Sequence, residues 1–175
     1  MNITAGKFKG QKISAPDENI TRPTLSKIRM SIFNTLQGMV DFEGASFLDM
    51  YAGSGIMALE AISRGFVRAI AVEKHPKVLS VIKSNYKKYT NSADYELKLL
   101  NGDSTKIVKK LSEKFDVIYI DPPYYSGIYE QSLDAIKHIV NGVVILEHVK
   151  DVDFGEYKIL KQKHYGDKTV TFLSL

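Results

Sequence analysis

From residue 46 onward, short apolar runs alternate with stretches in which apolar residues recur every three to four positions. The apolar runs predict buried strands, and the period near 3.6 residues predicts helices. The predicted strands are 46–50, 68–73, 95–100, 115–120 and 143–147, and the predicted helices are 55–64, 76–89, 104–112 and 126–139. Nearly apolar strands separated by helices are typical of a parallel sheet covered by helices on both faces.

The pattern is different at the start of the chain. Residues 2–15 predict two short strands around a turn bounded by Gly6 and Gly10, and a polar, proline-bounded connector follows at 16–23. Helical spacing then begins, with Thr24 or Ser26 as the N-cap and Gly38 as the stop. We therefore expect an N-terminal basic β-hairpin extension with its connector at 1–23 and a main domain at 24–175.

The last residues, 157–175, predict a hairpin that adds antiparallel strands at one edge of the sheet. The predicted fold class is α/β, with a mostly parallel seven-stranded sheet, helices on both faces and a C-terminal antiparallel hairpin.

Composition narrows the class of protein. A chain of 175 residues with 44% hydrophobic and 25% charged residues fits one soluble globular domain. No apolar run approaches the roughly 18 residues that span a bilayer, and the N-terminus lacks the apolar core of a signal peptide. Cysteine is absent, which excludes disulfides and thiolate sites. We expect a cytoplasmic protein without a membrane segment or a metal site.

The net charge of +4 is concentrated at the N-terminus. Residues 1–30 carry six basic and two acidic side chains, whereas the rest of the chain carries 18 of each. Lys7, Lys9 and Lys12 therefore predict a surface that binds a polyanion. A solvated hairpin without a partner explains the same charges equally well.

Candidate chemistry lies where the predicted strands end. Asp49 ends the first strand of the α/β part, and the turn Ala52-Gly53-Ser54-Gly55 follows it. Glu73 ends the next strand, 18 residues after Gly55. An acid at about this distance from a glycine-rich turn commonly binds the hydroxyl groups of a ribose.

Asp103 and Ser104 follow the third of these strands, where the Asp103 carboxylate could accept a hydrogen bond from an adenine amino group. The turn lacks the third glycine of the dinucleotide fingerprint, and the predicted crevice is acidic rather than suited to a pyrophosphate. A cationic nucleoside fits these features better, so S-adenosylmethionine is the predicted cofactor.

The fourth strand ends in Asp121-Pro122-Pro123-Tyr124. Consecutive prolines stiffen the loop and leave carbonyl groups free to accept hydrogen bonds. The Asp121 carboxylate and the Pro122 carbonyl could each accept one N–H of an exocyclic amino group, while Tyr124 stacks on the base. This arrangement predicts in-line methyl transfer to a nucleobase amine, and a merely stiff turn is the alternative explanation.

The remaining histidines and tyrosines, and Glu147, are not expected to take part directly in catalysis. His75, His138, His148 and His164 show no ligand spacing and are expected at the surface or at helix caps. The tyrosines at 86, 89, 95 and 157 are expected to pack in the core or at sheet edges. Glu147 is expected either to support a site residue or to be an ordinary solvated acid.

Several motifs resemble one known family. DPPY (121–124) resembles motif IV of amino-group methyltransferases, and FLDMYAGSG (47–55) resembles their motif I. The stretches ITAGKFKGQKISAP, RPT (22–24), KIRMSIFNTL, ALEAISRG and AVEK occur in the same order as in the bacterial 16S rRNA guanine-N2 methyltransferases of the RsmD type. The resemblance covers residues 3 to about 147, and Tyr124 stands where other members often have Phe.

This resemblance implies a Rossmann-like methyltransferase fold and methylation of the N2 amino group of a guanine in 16S rRNA, free or in an assembling small subunit, without an obligate protein partner. It places Asp49, Gly53, Gly55, Glu73 and Asp103 at the cofactor and residues 121–124 at the guanine amine. It also places Arg22 and Thr24 near the methionine end of the cofactor or the target base.

Three alternatives remain open from sequence. An amino-group methyltransferase acting on adenine or cytosine in DNA or another RNA would use the same DPPY chemistry. A nicotinamide oxidoreductase would explain the glycine-rich turn and Glu73 but not DPPY. A non-catalytic RNA-binding module would have no need of both Glu73 and Asp121.

Overall fold

The computed structural model describes residues 1–16, 26–90, 92–123 and 127–175. Its strands are β1 (Ser46–Asp49), β2 (Arg68–Glu73), β3 (Glu96–Asn101), β4 (Phe115–Ile120), β5 (Val140–His148), β6 (Lys158–Tyr165) and β7 (Lys168–Ser174). Its helices are α1 (Ser26–Leu36), α2 (Ile56–Ser63), α3 (Pro76–Tyr86), α4 (Ser104–Val108) and α5 (Ile128–Ile136), with a 3₁₀ turn at Lys137–Ile139.

The strands form one sheet in the order β3-β2-β1-β4-β5-β7-β6. Strands β1 to β5 are parallel, and β7 runs antiparallel to both β5 and β6. The predicted mostly parallel seven-stranded sheet with a C-terminal antiparallel hairpin is confirmed. The strand order reverses between β1 and β4, and a crevice beyond the carboxyl ends of strands at such a point is the usual ligand site of α/β sheets.

Helices cover both faces of the sheet, and strand alternation decides which side chain faces which layer. Phe47 belongs to a core with residues of α1, α2 and α3, whereas Leu48 belongs to a second core with residues of α4 and α5. The first face also carries Asp49, because it lies two residues after Phe47. This face therefore presents polar groups where its strands reach the crevice.

The N-terminal segment forms less of a hairpin than the sequence predicts. One antiparallel bridge joins Asn2 to Lys12, instead of two paired strands across 2–15. The reason is that some backbone N–H groups between Asn2 and Lys12 form hydrogen bonds to α2. The Thr4 N–H donates to the Glu60 carboxylate at 2.9 Å, and the Lys7 N–H donates to the Ser63 carbonyl at 2.8 Å. The segment still folds back on itself, because the Ile3 N–H donates to the Gln11 carbonyl at 3.0 Å and the Gly10 N–H donates to the Ile3 carbonyl at 2.9 Å, and it is also attached to the body of the protein.

Tight packing explains this attachment. Ile3 and Ile13 are buried in the same core as α1 and α2. Gly6 has a φ of 78°, and a Cβ there would lie 1.7 Å from the Ser63 carbonyl oxygen, so only glycine fits the contact. Because residues 17–25 lie outside the described ranges, the division into 1–23 and 24–175 stays a prediction, as does the cap at Thr24.

Two helices end earlier than predicted. α3 ends at Tyr86 rather than at 89, and α4 ends at Val108 rather than at 112. In both, the chain continues in tighter three-residue turns, with Tyr89 donating to the Tyr86 carbonyl and Leu111 to the Val108 carbonyl. Within the described ranges, no helix has the length and apolar character needed to cross a membrane.

Candidate active site

The turn after β1 uses its two glycines for different purposes. Gly53 has a φ of 53°, and a Cβ there would find only the Tyr51 carbonyl, at 4.0 Å, so the backbone of this residue is open to a ligand. At Gly55, with a φ of 75°, a Cβ would lie 2.9 Å from side-chain atoms of Ile82 and Tyr86. Gly55 therefore lets α2 begin directly against α3, a packing role that the sequence did not indicate.

Glu73 connects this turn to the end of β2. Its Oε2 accepts a hydrogen bond from the Gly53 N–H at 3.1 Å, and its Oε1 accepts from the N–H groups of Lys74 and His75 at 2.9 Å each. A carboxylate offers about four acceptor sites, so capacity remains for a hydroxyl group. The predicted proximity of the glycine-rich turn and Glu73 is confirmed by these contacts, while ribose binding stays a prediction.

Asp103 and Ser104 lie at the start of α4. Asp103 is exposed and acts as the N-cap, because its Oδ1 accepts from the Lys106 N–H at 3.1 Å and from Thr105 Oγ1 at 2.7 Å. These hydrogen bonds hold the pKa of Asp103 below its ordinary value. Ser104 is buried, and its hydroxyl group donates to the Met50 carbonyl. Ser104 thus joins α4 to the end of β1.

Two predicted cofactor residues complete the turn. Ala52 is buried, and its N–H donates to the Val72 carbonyl at 3.0 Å. Ser54 is also buried, and its Oγ accepts from the Ile56 N–H at 3.4 Å in the first turn of α2. Both contacts fix the turn; whether either residue touches a cofactor stays a prediction.

Asp49 is the clearest polar group without a protein partner in the crevice. Its carboxyl group is fully buried, and neither oxygen has a hydrogen-bonding partner among the described residues. Burial raises the pKa of Asp49 well above its ordinary value, and the carboxylates of Asp121 and Glu73 act in the same direction. The Tyr51 backbone N–H opposes this rise. Buried acids of this kind are stabilised by a cationic or N–H-bearing ligand.

The DPPY loop begins at the carboxyl end of β4, as predicted. Asp121 keeps 17% of its side chain exposed, Pro122 is buried and Pro123 is exposed. Tyr124 lies outside the described residues, as do the predicted substrate residues Arg22 and Thr24. The loop therefore leaves a buried strand at the crevice with its first carboxylate accessible.

Asp121 has close neighbours that sequence reasoning missed. Lys168 Nζ lies 3.5 Å from Asp121 Oδ2 and 2.7 Å from Glu147 Oε2. Glu147 is fully buried and also accepts a hydrogen bond from the Tyr119 hydroxyl. Of the two expectations for Glu147, the solvated acid is wrong, because the side chain is fully buried, while its role in supporting a site residue stays a prediction. The acid at the end of β5 was visible in the sequence, but nothing there indicated which lysine reaches it.

The electrostatics of Asp121 reflect these neighbours. Burial raises the pKa of Asp121 to about 7, with the nearby charge of Glu147 acting in the same direction and Lys168 opposing both. A carboxyl group with a pKa in this range can accept a hydrogen bond or a proton under cellular conditions. A strongly raised pKa at the edge of a crevice marks Asp121 as a candidate functional residue.

The N-terminal lysines are exposed, as their predicted role requires. Lys7 Nζ lies 4.1 Å from the centroid of the Tyr95 ring, and this cation–π contact holds it on the protein surface. Arg29, which contributes to the N-terminal charge excess, is 1% exposed and pairs with Glu60 at 3.3 Å. Charge counting therefore overstated the basic surface, because the charge of Arg29 is neutralised inside the protein.

Most of the remaining expectations are confirmed. Tyr86, Tyr89 and Tyr157 are buried, and His75, His138 and His164 are exposed. The expectation for His148 is wrong: it is buried, and its ring nitrogens contact the Lys150 carbonyl at 2.7 Å and Thr171 Oγ1 at 2.9 Å.

Within the described residues, no cluster of three acidic or histidine side chains is arranged to hold a metal ion.

Comparison with known proteins decides the family. The model of the family described as Conserved hypothetical protein 95 matches residues 1–174. The chain belongs to this family, the RsmD family. A relative from Buchnera aphidicola, named ribosomal RNA small subunit methyltransferase D, is 31% identical over 137 residues, which cover 78% of this chain and 69% of that protein.

Other relatives cover nearly all of the RsmD-family chain. The ribosomal RNA small subunit methyltransferase D of Haemophilus influenzae is 26% identical over 175 residues, covering 95% of this chain and 89% of that protein. The solved structure of the Escherichia coli yhhF protein superposes with a TM-score of 0.86 at 21% identity, covering 99% of this chain and 96% of that chain. The fold is that of the S-adenosylmethionine-dependent methyltransferases.

The residues present in this RsmD-family crevice fit that cofactor. The buried Asp49 carboxyl group would suit an ammonium group, the remaining acceptor capacity of Glu73 would suit ribose hydroxyls, and Gly53 leaves space for close approach. Asp103 retains an oxygen outside its capping contacts for an adenine amino group. The cluster of acids also suits the positive charge of a sulfonium.

Proposed function

We propose that this protein methylates the exocyclic N2 amino group of a guanine in 16S rRNA, with S-adenosylmethionine as the methyl donor. The observation that carries the proposal is the position of Asp121: an accessible carboxylate at the carboxyl end of β4, followed by Pro122 and Pro123, on the edge of the sheet that also carries Asp49 and Glu73. Membership of the RsmD family and the names of its relatives support rRNA as the substrate.

The cofactor, when bound, supplies an electrophilic methyl group on a sulfonium. Asp49, Glu73 and Asp103 would bind its amino-acid, ribose and adenine portions, together with backbone at Ala52, Gly53, Ser54 and Gly55 and the start of α4 at Ser104. This set spans the ends of β1, β2 and β3, so the donor would be held where the strand order reverses, next to the end of β4.

Asp121 and the Pro122 carbonyl would each accept one N–H of the guanine amino group, and Tyr124 would stack on the base. These acceptors would favour a pyramidal amine whose lone pair is free to react. In the transfer, the amine would form the new N–C bond while the C–S bond of the donor breaks, and the electron pair of the C–S bond would stay on sulfur. The resulting ammonium loses a proton, which the Asp121 carboxylate is placed to receive.

The substrate surface of the proposal consists of Lys7, Lys9 and Lys12, with Arg22 and Thr24 near the target base. The three lysines lie on one anchored segment, which would bind rRNA phosphates and position the nucleotide without specifying it.

The test uses 16S rRNA transcribed in vitro, both free and assembled with small-subunit proteins, and S-adenosylmethionine labelled in the methyl group. We expect label in N2-methylguanosine after digestion to nucleosides. Label in N6-methyladenosine or a methylated cytosine would instead support the alternative amino-group target. If neither the free rRNA nor the assembled subunit receives label, the proposal is contradicted.

A further inference from the structure

Lys168 lies between two carboxylates of the candidate site. Its Nζ is 2.7 Å from Glu147 Oε2 and 3.5 Å from Asp121 Oδ2. Glu147 is fully buried, whereas the side chains of Lys168 and Asp121 keep 21% and 17% of their surface exposed. The ammonium group is therefore held from the interior and meets Asp121 at the edge of the crevice.

The reversed direction of β7 explains how a residue from the C-terminal hairpin reaches this edge. β7 runs antiparallel to β5, with Val170 opposite Glu147 and Thr169 opposite His148. Lys168, the first residue of β7, consequently lies beside the carboxyl ends of the parallel strands. In a parallel strand the first residue would lie at the opposite edge.

Glu147 is well suited to anchor this lysine. Its Oε1 accepts the hydrogen bond of the Tyr119 hydroxyl, so both carboxylate oxygens have defined partners. Tyr119 lies two residues before Asp121 on β4, and its side chain therefore points to the same face of the sheet. Hydrogen bonds among Tyr119, Glu147 and Lys168 thus connect β4, β5 and β7 next to Asp121.

The charges that act on Asp121 come from three neighbouring strands. Lys168 on β7 is the positive one, while Glu147 on β5 and Asp49 on β1 are negative. Glu147 raises the pKa of Asp121, and Lys168 lowers it. Removal of the ammonium group would leave Asp121 beside a buried negative charge, which disfavours its ionised form.

We propose that Lys168 is a positioning residue of the methyl transfer, which keeps the Asp121 carboxylate ionised and oriented toward the amine while Glu147 and Tyr119 hold it in place. This inference rests on the proposed function, because it gives Asp121 the role of acceptor for the reacting amine. It also gives the C-terminal hairpin, for which the sequence indicated no role, a direct part in the site.

The first test measures the NMR chemical shift of the Asp121 carboxyl carbon as a function of pH, in unliganded protein that carries ¹³C-labelled aspartate. The signal that disappears in Asp121→Asn is assigned to Asp121. We expect Lys168→Met to raise the midpoint of the Asp121 titration by about one pH unit or more, because an opposite charge at this range commonly changes a carboxyl pKa by about 1–3. Lys168→Arg should titrate near wild type. Glu147→Gln should lower the titration midpoint, since it removes the like charge.

Lys161→Met is the matched control, because Lys161 is an exposed lysine of the same hairpin. It should leave the Asp121 titration unchanged. Circular dichroism melting of each variant shows whether it is folded. If Lys168→Met does not fold, the different results expected for Lys168→Arg and Glu147→Gln still test the arrangement.

The second test is the pH profile of kcat for methyl transfer. In Lys168→Met the acidic limb should move to higher pH, so that kcat at pH values below the limb falls about tenfold for each pH unit by which the limb moves. The Kd for S-adenosylmethionine, measured by calorimetry, should not change. Lys168→Arg should restore most of the activity.

The two proposals fail differently. If wild-type protein transfers no methyl group to rRNA, the proposed function fails and the role of Lys168 in it fails with it. If wild type transfers the group but Lys168→Met shows the wild-type carboxyl titration and pH profile, only the role of Lys168 is refuted.

Discussion

At the scale of single residues, the candidate site contains acids that the fold alone leaves poorly stabilised. Asp49 is buried without a hydrogen-bonding partner among the described residues, and Asp121 is held beside Glu147 with Lys168 as the counter-charge. Glu73, by contrast, is well supplied with backbone donors. A ligand that brings cationic and N–H groups would therefore relieve Asp49 and Asp121 more than Glu73.

Replacement of Glu73 and replacement of Asp121 should affect different properties, cofactor binding in the first case and methyl transfer in the second. Glu73→Ala removes the proposed ribose acceptor and leaves the Gly53 N–H unpaired, so the free energy of cofactor binding should weaken by about 1–3 kcal/mol. At saturating cofactor, kcat should be largely retained. Asp121→Ala should leave the cofactor Kd nearly unchanged while methyl transfer collapses.

Calorimetry with S-adenosylmethionine and single-turnover methylation measure the two quantities. Glu73→Gln, which keeps one carbonyl oxygen, should bind the cofactor with intermediate affinity. Equal loss of binding and of turnover in Asp121→Ala would make Asp121 a structural residue, and unchanged binding in Glu73→Ala would remove Glu73 from the cofactor site.

Sequence reasoning located this site because each parallel strand ends at the same edge of the sheet, so acids after apolar runs had to converge. It missed Lys168, because register in a reversed hairpin depends on the turn and not on the residue pattern. It counted Arg29 in the N-terminal basic excess and expected His148 at the surface or at a helix cap, because a charge or an imidazole in the sequence does not reveal the buried partner that satisfies it. For Arg29 that partner is Glu60, 31 residues later in the chain.

At the scale of elements, the N-terminal segment is a rigid carrier of positive charge. The Glu60 carboxylate accepts hydrogen bonds from Thr4 and Ala5 N–H groups and pairs with Arg29 and Arg64. This buried network fixes the backbone on which the exposed lysines stand. A fixed array of lysines loses less conformational entropy on binding RNA than a disordered tail.

Replacement of Lys9 and Lys12 by alanine should weaken rRNA binding and flatten its salt dependence. Each lost phosphate contact should lower the slope of log K against log salt concentration by about 0.7–0.9. Lys7→Ala also removes the cation–π contact with Tyr95, so its effect on rRNA binding should be measured in a separate variant. Filter binding over a range of salt concentrations measures the slope.

The charge-matched control is Lys109→Ala with Lys110→Ala, because both lysines are exposed and follow α4. This pair should leave the slope near that of wild type, and neither pair should alter cofactor affinity. An Lys9/Lys12 variant with the wild-type slope would identify the N-terminal charge as a solvated surface without an RNA partner.

At the scale of the whole molecule, the acids of the crevice should make stability depend on pH. The folded-state pKa values of Asp49 and Asp121 are raised above the ordinary value, to about 7 for Asp121. Their stabilising contribution is complete below the pKa of an unfolded aspartate, about 3.9. It is lost as pH rises through the folded values, because in this window the folded protein binds more protons than the unfolded chain.

Unfolding in urea at a series of pH values should show this effect. Above about pH 4, each of the two acids should lower the free energy of unfolding of the unliganded protein by as much as about 1.4 kcal/mol per pH unit, until the pH reaches its folded-state pKa, which is about 7 for Asp121. Asp49→Asn should remove its share and flatten the curve. Parallel curves for wild type and Asp49→Asn would show that Asp49 is ionised in the folded protein.

The anchoring of the N-terminal segment on α2 also has a consequence for the order of folding. Residues 4–8 are synthesised well before their hydrogen-bonding partners Glu60 and Ser63, which lie 55 or more residues later in the chain. Contacts of such separation form after local structure, because loop closure opposes them. The proposed RNA-binding lysines would therefore reach their final positions only once α2 has formed and packed, so a nascent chain shorter than this would not yet present them to rRNA in a fixed arrangement.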